Sequence, residues 1–490
     1  MASGEVNLAP EQGAGNQTLP KLNIWMMMRI GLYQMGLGIL AVLTLAVLNR
    51  VMIAELKIPA AITSSVLAIS LLISPARIWV GQISDAKPWF GLHRSIYVWL
   101  GAALFTPTLL FVLQGVWQLG SFVESFNGWV WNVQTAGWTG LLALGMVLYG
   151  LSVSLSSVTF FALLVDVSDE DNRGQLIGIV WTMMTVGLAI GGIGSKVLLK
   201  PLDDINASMA VIRSSITGLF VVAPLLIFVL AFLATWGVEK TYSRYKTRSI
   251  VQHREDAITL GVALKVLTAN RQTGIFFGFL VAMTFCLFLQ ESVLEPYGGE
   301  IFRMSIPDTS LLNTYWAVGM LFSLIPTGFF LIPRLGKIGT TKLGCWTVAT
   351  CLVLIILAGF TENTNLLKGS LVFFGLATGI LTTGGLSLTL DLTSAETAGT
   401  FSGAWGLGQA LSRGIAVAAG GWVLSAGKGL FGVSNATEPS LQMLLAYTVV
   451  FGLQAVGLVA STILLDRVDV QEFRDNAKGA IAAVMEGDLE

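Results

Sequence analysis

Charge is what this chain has least of. Asp, Glu, Lys and Arg make up 12% of its 490 residues, about half the share expected of a soluble protein that long. The formal net charge of −1 provides no basic footprint for nucleic acid. Histidine occurs only as His93 and His253, both in polar connections, which excludes haem ligation by a histidine pair inside apolar segments. Cys286, Cys345 and Cys351 all fall within apolar runs. Cys345 and Cys351 lie on diverging helix faces, so neither a disulfide nor a metal site is implied. The first twenty residues lack a basic stretch ahead of an apolar one and read as a short disordered tail, not a signal peptide. A nucleotide-binding glycine loop is missing, and the carboxylates that come in a pair have no companion nucleophile, so the sequence argues against an enzyme.

What the chain does have is apolar length. Hydrophobic residues make up 54%, the mean hydropathy is +0.75, and apolar runs of roughly 20 residues, enough to cross a hydrocarbon core of about 30 Å, recur along it. The pattern predicts an all-α polytopic membrane protein in the lipid bilayer with twelve spans, near 27–49, 59–83, 95–117, 138–165, 175–198, 213–236, 274–294, 310–332, 341–360, 369–391, 400–424 and 441–465. An even number of spans puts both termini on one side. Lys and Arg concentrate on that side, so both termini are expected to be cytoplasmic. The expected organisation is a disordered tail over 1–26, a six-helix half over 27–236, a cytoplasmic linker over 237–273, a second six-helix half over 274–465 and a cytoplasmic tail over 466–490. Within the linker, Ile258–Leu267 is patterned as a surface helix, and the C-terminal tail can form another through Phe473, Ala477, Ile481 and Val484.

The halves share a local repeat. Asp166, Gly174 and Gly178 match Asp391, Gly399 and Gly403 at one constant separation, and Trp181 and Trp405 follow one residue out of register. Each copy reads as an acidic helix end, a turn, and a glycine-spaced helix start suited to close packing. Two related six-helix halves are the architecture of major facilitator proteins. Between spans 2 and 3, Gly81, Asp85 and Lys87, followed by Gly91, His93 and Arg94, resemble that superfamily's loop signature. Gly81 would let a neighbouring helix approach, and Asp85 would face the positive end of span 11 near Gly399, as a gate on the cytoplasmic side.

The sharpest local feature is Gln290–Phe302, QESVLEPYGGEIF, at the end of span 7. Glu291 and Glu295 are spaced to share one helix face, Pro296 is expected to stop the helix, and Gly298–Gly299 permit backbone angles that other residues avoid. Carboxylates at a membrane rim are costly and call for a partner.

Three stretches narrow the resemblance: LNRVMIAEL at Leu48–Leu56, LEPYGGEIF at Leu294–Phe302, and HRSIYVWLG at His93–Gly101. Together they resemble the PucC/LhaA, or bacteriochlorophyll delivery, family of the major facilitator superfamily over nearly the whole chain. That resemblance, not composition or periodicity, implies a role in assembling light-harvesting or photosystem complexes in a photosynthetic (thylakoid) or plasma membrane. It also implies that the chain binds or passes chlorophyll-type pigment and meets pigment-protein subunits. A proton-coupled secondary transporter of a small amphipathic solute is the alternative, with Glu291, Glu295, Asp166 or Asp391 as proton sites.

Aligning the ends of spans 1 and 7 makes Arg50 and Glu291 counterparts of opposite charge. They are expected to pair across the cavity mouth, directly or through a ligand; otherwise Arg50 reaches the lipid surface and Glu291 pairs locally. Chlorophyll magnesium takes one axial ligand. With no histidine in the spans, the candidates are Asn49, Gln34, Gln290, Gln409 and Glu291, with Glu295 as a further ligand group; buried amides also bond neighbouring helices. Arg413, deep in span 11 and one turn from Gln409, either meets an acidic ligand group or pairs with Asp391 or another carboxylate. Arg77 is expected to extend toward the cytoplasm or pair with Asp166.

Overall fold

The computed structural model describes residues 22–87, 89–204, 207–243, 271–391, 398–433 and 440–468. Both expected surface helices, Ile258–Leu267 and the one through Phe473, lie outside these residues, as do residues 1–21 of the expected N-terminal tail and Trp405's side chain; the end of that tail is helical, since the first helix starts at Ile24.

Among the described residues, nine segments are long and apolar enough to cross a membrane by themselves, and with the shorter and broken helices they group into twelve spans. Spans 1 to 6 are Ile24–Glu55, the pair Ala60–Leu72 and Ala76–Ala86, Ser95–Ser125, Val133–Val167, Glu170–Leu198 and Met209–Thr235. Spans 7 to 12 are Arg271–Phe288 with its extension to Phe302, Leu312–Pro326, Ile332–Phe360, Thr364–Asp391, Ala398–Leu430 and Leu441–Leu465. Capping side chains mark several starts: Asn132 and Asp169 form capping boxes at spans 4 and 5, and Ser440 accepts from Met443 at span 12. Within Ile332–Phe360 the chain turns at Gly336, whose φ of 70° breaks the helical run, so the residues before it continue span 8 and those after it form span 9.

Apolar side chains collect into two cores. One is built from spans 1 to 6 and borrows Ile306; the other is built from spans 7 to 12 and borrows Ile53 and Ala60. The borrowed residues all belong to the end of the bundle opposite the termini, here called the far end. Hydrogen bonds between the halves occupy the same region. Ala61 N–H donates to Ser425 Oγ at 2.9 Å, Ser64 Oγ donates to the Ala418 carbonyl, and Trp422 Nε1 donates to Ser65. On the other flank Thr314 Oγ1 donates to the Ala189 carbonyl and Lys196 pairs with Asp308 at 2.8 Å.

Two glycine doublets allow this closeness. In span 5, Gly191 packs on Ile39 and Val42 of span 1, while Gly192 packs across the halves on Ser310 and Thr314. In span 11, Gly420 packs on Leu289 and Ser292 of its own half, while Gly421 packs across on Ala60 and Ser64. Each doublet thus serves one contact within its half and one between halves, and a side chain at either site would collide with neighbouring backbone. The glycines expected to pack, Gly174 and Gly178, instead face open space. Close approach follows Gly191–Gly192, deeper in the same helix, because that is where the two halves converge. The Asp391 side chain and the surroundings of Gly399 and Gly403 are outside what the structure describes.

Candidate functional site

Span 1 is not regular where it matters. It widens into π-helix over Val42–Leu48 and again over Val51–Glu55, a device frequent at functional positions. The widening rephases the residues between, so that Asn49 and Arg50 both turn toward span 7. Asn49 Nδ2 donates to the Ser292 carbonyl at 2.8 Å, and Arg50 reaches the Met304 carbonyl at 3.4 Å.

Span 7 is broken at the same level. Leu289–Ser292 tightens into a 3-10 turn, Val293 leaves helical angles at φ −124°, and a new helix runs from Leu294 to Phe302. Pro296 sits in the first turn of that helix, where its missing N–H costs nothing; the break precedes it instead of following it. Glu291 and Glu295 therefore do not share a helix face. Gly298 and Gly299 are helical, and the need for glycine at 299 is spatial: the Arg50 guanidinium lies directly against it.

The expected Arg50–Glu291 pair does not form. Arg50 pairs with Glu55 at 2.8 Å, five residues on in its own span. Glu291 is taken by Arg413 of span 11, whose Nε donates at 2.8 Å and whose Nη2 donates to the other carboxylate oxygen. The 3-10 turn aims Glu291 inward along its own half, where a bidentate guanidinium meets it. Such forked, charge-assisted bonds are about twice as strong as neutral ones. The guanidinium also lies 4.5 Å above the centre of the Phe288 ring.

The remaining acids and amides of this region are held as well. Glu295 is buried, accepts from Asn313 Nδ2 at 2.6 Å and has no cation; its second oxygen has no partner among the described residues. Gln290 Oε1 accepts from Gln454 of span 12. Glu300 binds Lys428 at 2.6 Å and the Tyr447 hydroxyl at 2.7 Å. Gln34 donates to Met184 Sδ, with its oxygen buried and unpartnered, as is that of Asn49.

Gln409 differs from these. It is exposed and makes no hydrogen bond among the described residues. Ile415 and Trp422, also exposed, mark the outer side of span 11, while Ser412 bonds the Val281 carbonyl of span 7 and Gly414 meets Leu72 of span 2. At 100° per residue, Gln409 and Arg413 fall opposite that outer side. Their shared face looks into the space between the halves.

At the end near the termini the loop signature has a different internal logic from the one expected. Arg94 is buried and binds Asp166 at 3.0 Å and Ser84 Oγ at 2.6 Å. This corrects the Arg77–Asp166 pairing: Asp166 ends span 4 beside the start of span 3, whereas Arg77 sits about three turns deeper. Glu239, which the sequence did not single out, accepts from the backbone N–H groups of His93, Arg94 and Ser95, capping span 3 from across the half. Lys87 is exposed and its carbonyl accepts from Tyr97. A Cβ at Gly81 would meet Val158 at an ordinary 3.6 Å, so space there does not demand glycine. Asp85 lies in the helix Ala76–Ala86, with its side chain outside the described residues.

The residues that sequence reasoning missed are Glu239 and the two glycine doublets. The doublets had a readable signal, Gly-Gly recurring in spans 5 and 11; Glu239, in a charged connection, had none.

Comparison with known proteins agrees with this architecture. A sequence model described as "PUCC protein" matches residues 47–473. Protein PucC of Cereibacter sphaeroides is 28% identical, over 84% of this chain and 85% of its own. A Rhodobacter capsulatus protein named bacteriochlorophyll synthase 44.5 kDa chain is 26% identical, over 89% of this chain and 93% of its own. Among solved structures, a bacterial homologue of the human lysosomal transporter Spinster superposes with a TM-score of 0.61 at 13% identity, covering 94% of this chain and 98% of that one. At that identity the likeness shows the fold alone, that of a major facilitator transporter.

Proposed function

Because this chain belongs to the PUCC protein family, we propose that it is a non-catalytic membrane assembly factor that binds or delivers chlorophyll-type pigment while light-harvesting or photosystem complexes are built. Family membership over nearly the whole chain carries this reading, and relatives named for bacteriochlorophyll support it. In it the termini are cytoplasmic, the membrane is a thylakoid or other photosynthetic membrane, and subunits of pigment-protein complexes are the partners. The two six-helix units act as bodies over 27–236 and 274–465, joined through 237–273.

The residues present fit a pigment in one respect. Bound chlorophyll would bring a magnesium that takes one axial ligand. Gln409 offers a free amide on the inward face of span 11, whereas Gln290 and Glu291 are occupied by Gln454 and Arg413. Asn49 and Gln34 are buried in helix seams, with no room for a macrocycle.

Proton-coupled transport of an amphipathic solute is the second reading. One observation favours it: Glu295, a buried carboxyl with no cation and one free oxygen, is placed to carry a proton.

An absorption spectrum of the tagged, full-length protein, purified in mild detergent from a photosynthetic host, separates the two. Stoichiometric chlorophyll-type absorbance, reduced in Gln409→Leu, is the expected result. A colourless, folded protein that drives proton-dependent solute uptake in vesicles would overturn the pigment reading.

A further inference from the structure

Arg77 is a cation that the described contacts leave unanswered. Span 2 breaks over residues 73–75 and restarts at Ala76. Discontinuous spans are tolerated where the freed backbone borders protein or a cavity. Just before the break, Leu71 and Leu72 press on Gly414 of span 11, and there the described seam between spans 2 and 11 ends. Arg77 is the next inward cation beyond that seam. Its Nε is buried without a hydrogen-bond partner, and so is Ser74 Oγ, one turn earlier on the same face.

Among the described residues no carboxylate remains for it. Asp166 is bound by Arg94 and Glu291 by Arg413. Among the described residues, Tyr33 on span 1 and Arg413 on span 11, one in each half, are near enough to act on Arg77 electrostatically. The first is uncharged at neutral pH, and the second repels. A half-buried guanidinium within a membrane span is costly, and among the described residues no ion pair offsets it. Tyr33 itself stacks on Phe160, ring centres 4.2 Å apart.

We propose that Arg77, with Ser74, binds the oxyanion of an amphipathic ligand held between the halves. A carboxylate or a phosphate answers a planar guanidinium with two parallel bonds. If the ligand is a pigment, which rests on the reading above, it is one with a free propionate and not its esterified form.

The test titrates three probes onto the full chain in nanodiscs of zwitterionic lipid: chlorophyllide, the corresponding esterified chlorophyll, and phosphatidylglycerol. Wild type is compared with Arg77→Gln and Arg77→Lys by absorbance or tryptophan quenching, and by thermal melting without ligand. Chlorophyllide affinity is expected to fall about tenfold or more in Arg77→Gln, with partial retention in Arg77→Lys. Esterified chlorophyll should bind wild type more weakly than chlorophyllide does, and alike in all three proteins, and unliganded Arg77→Gln should melt at or above the wild-type temperature. Chlorophyllide binding that ignores the substitution, or an unliganded variant that melts well below wild type, would overturn the proposal. If both pigments bind equally and Arg77→Gln changes neither, the pigment reading survives and the oxyanion site falls. If neither pigment binds while phosphatidylglycerol does so through Arg77, the oxyanion site survives and the pigment reading falls.

Discussion

The two ends of the interface between the halves are built on opposite principles. At the far end, glycine doublets bring helices into backbone contact, and the polar groups there bond across the seam: Asn49 to Ser292, Ser64 to Ala418, Thr314 to Ala189. Toward the termini the same helices part. Three turns along from the Ala189–Thr314 contact, on the same helix faces, Gly178 has open space around it and Ile325 is 69% exposed. Arg77, Gln409 and the Arg413–Glu291 pair all border this second region. Closeness at one end leaves room for chemistry at the other: helices in backbone contact make a clasp, and parted helix faces make a site.

The largest break in that contrast should come from the Arg413–Glu291 pair. Arg413→Leu leaves a largely buried carboxylate unanswered, a loss of about 3 kcal/mol or more, read as a lower melting temperature in detergent. The double change Arg413→Leu with Glu291→Leu should recover much of it. A smaller loss is expected from Gly421→Val, which forces a side chain against Ala60 and Ser64; overpacking of this kind costs about 1–3 kcal/mol. Asn49→Ala removes one inter-half hydrogen bond and should cost about 1 kcal/mol. Gly178→Ala sharpens the comparison from the other side. It fills open space on an exposed helix face, so its melting temperature should match wild type or rise slightly, by roughly what Ala gains over Gly in a helix, up to about 1 kcal/mol.

Much of the fold was legible. Twelve apolar runs and a repeated acid-turn-glycine pattern are long-range signals that survive without knowing any contact. The site was legible only in its parts list. Arg50, Glu291 and Arg413 stand out because charge is rare here, but who pairs with whom depends on local helix irregularity. The π-turns of span 1 and the 3-10 turn at Leu289–Ser292 shift phase by a fraction of a turn, and ideal spacing cannot anticipate that. Reading Glu291 and Glu295 as one face assumed an unbroken helix, and the break at Val293 undoes it. Gly174 and Gly178 were read as packing sites because their spacing allowed it, whereas packing depends on where two helices cross.

The account stands most directly on the difference between the two ends, and distances between spin labels measure it. One label pair replaces Lys196 and Asp308 at the far end, whose ion pair is partly exposed and of little energetic weight. The other replaces Gly178 and Ile325. Both are placed in a background where the three buried native cysteines are alanine. The far-end pair should give one short, narrow distance, and the second pair a longer and broader one. Equal short distances at both ends would mean that the halves close along their whole length, and that the space assigned to a ligand does not exist.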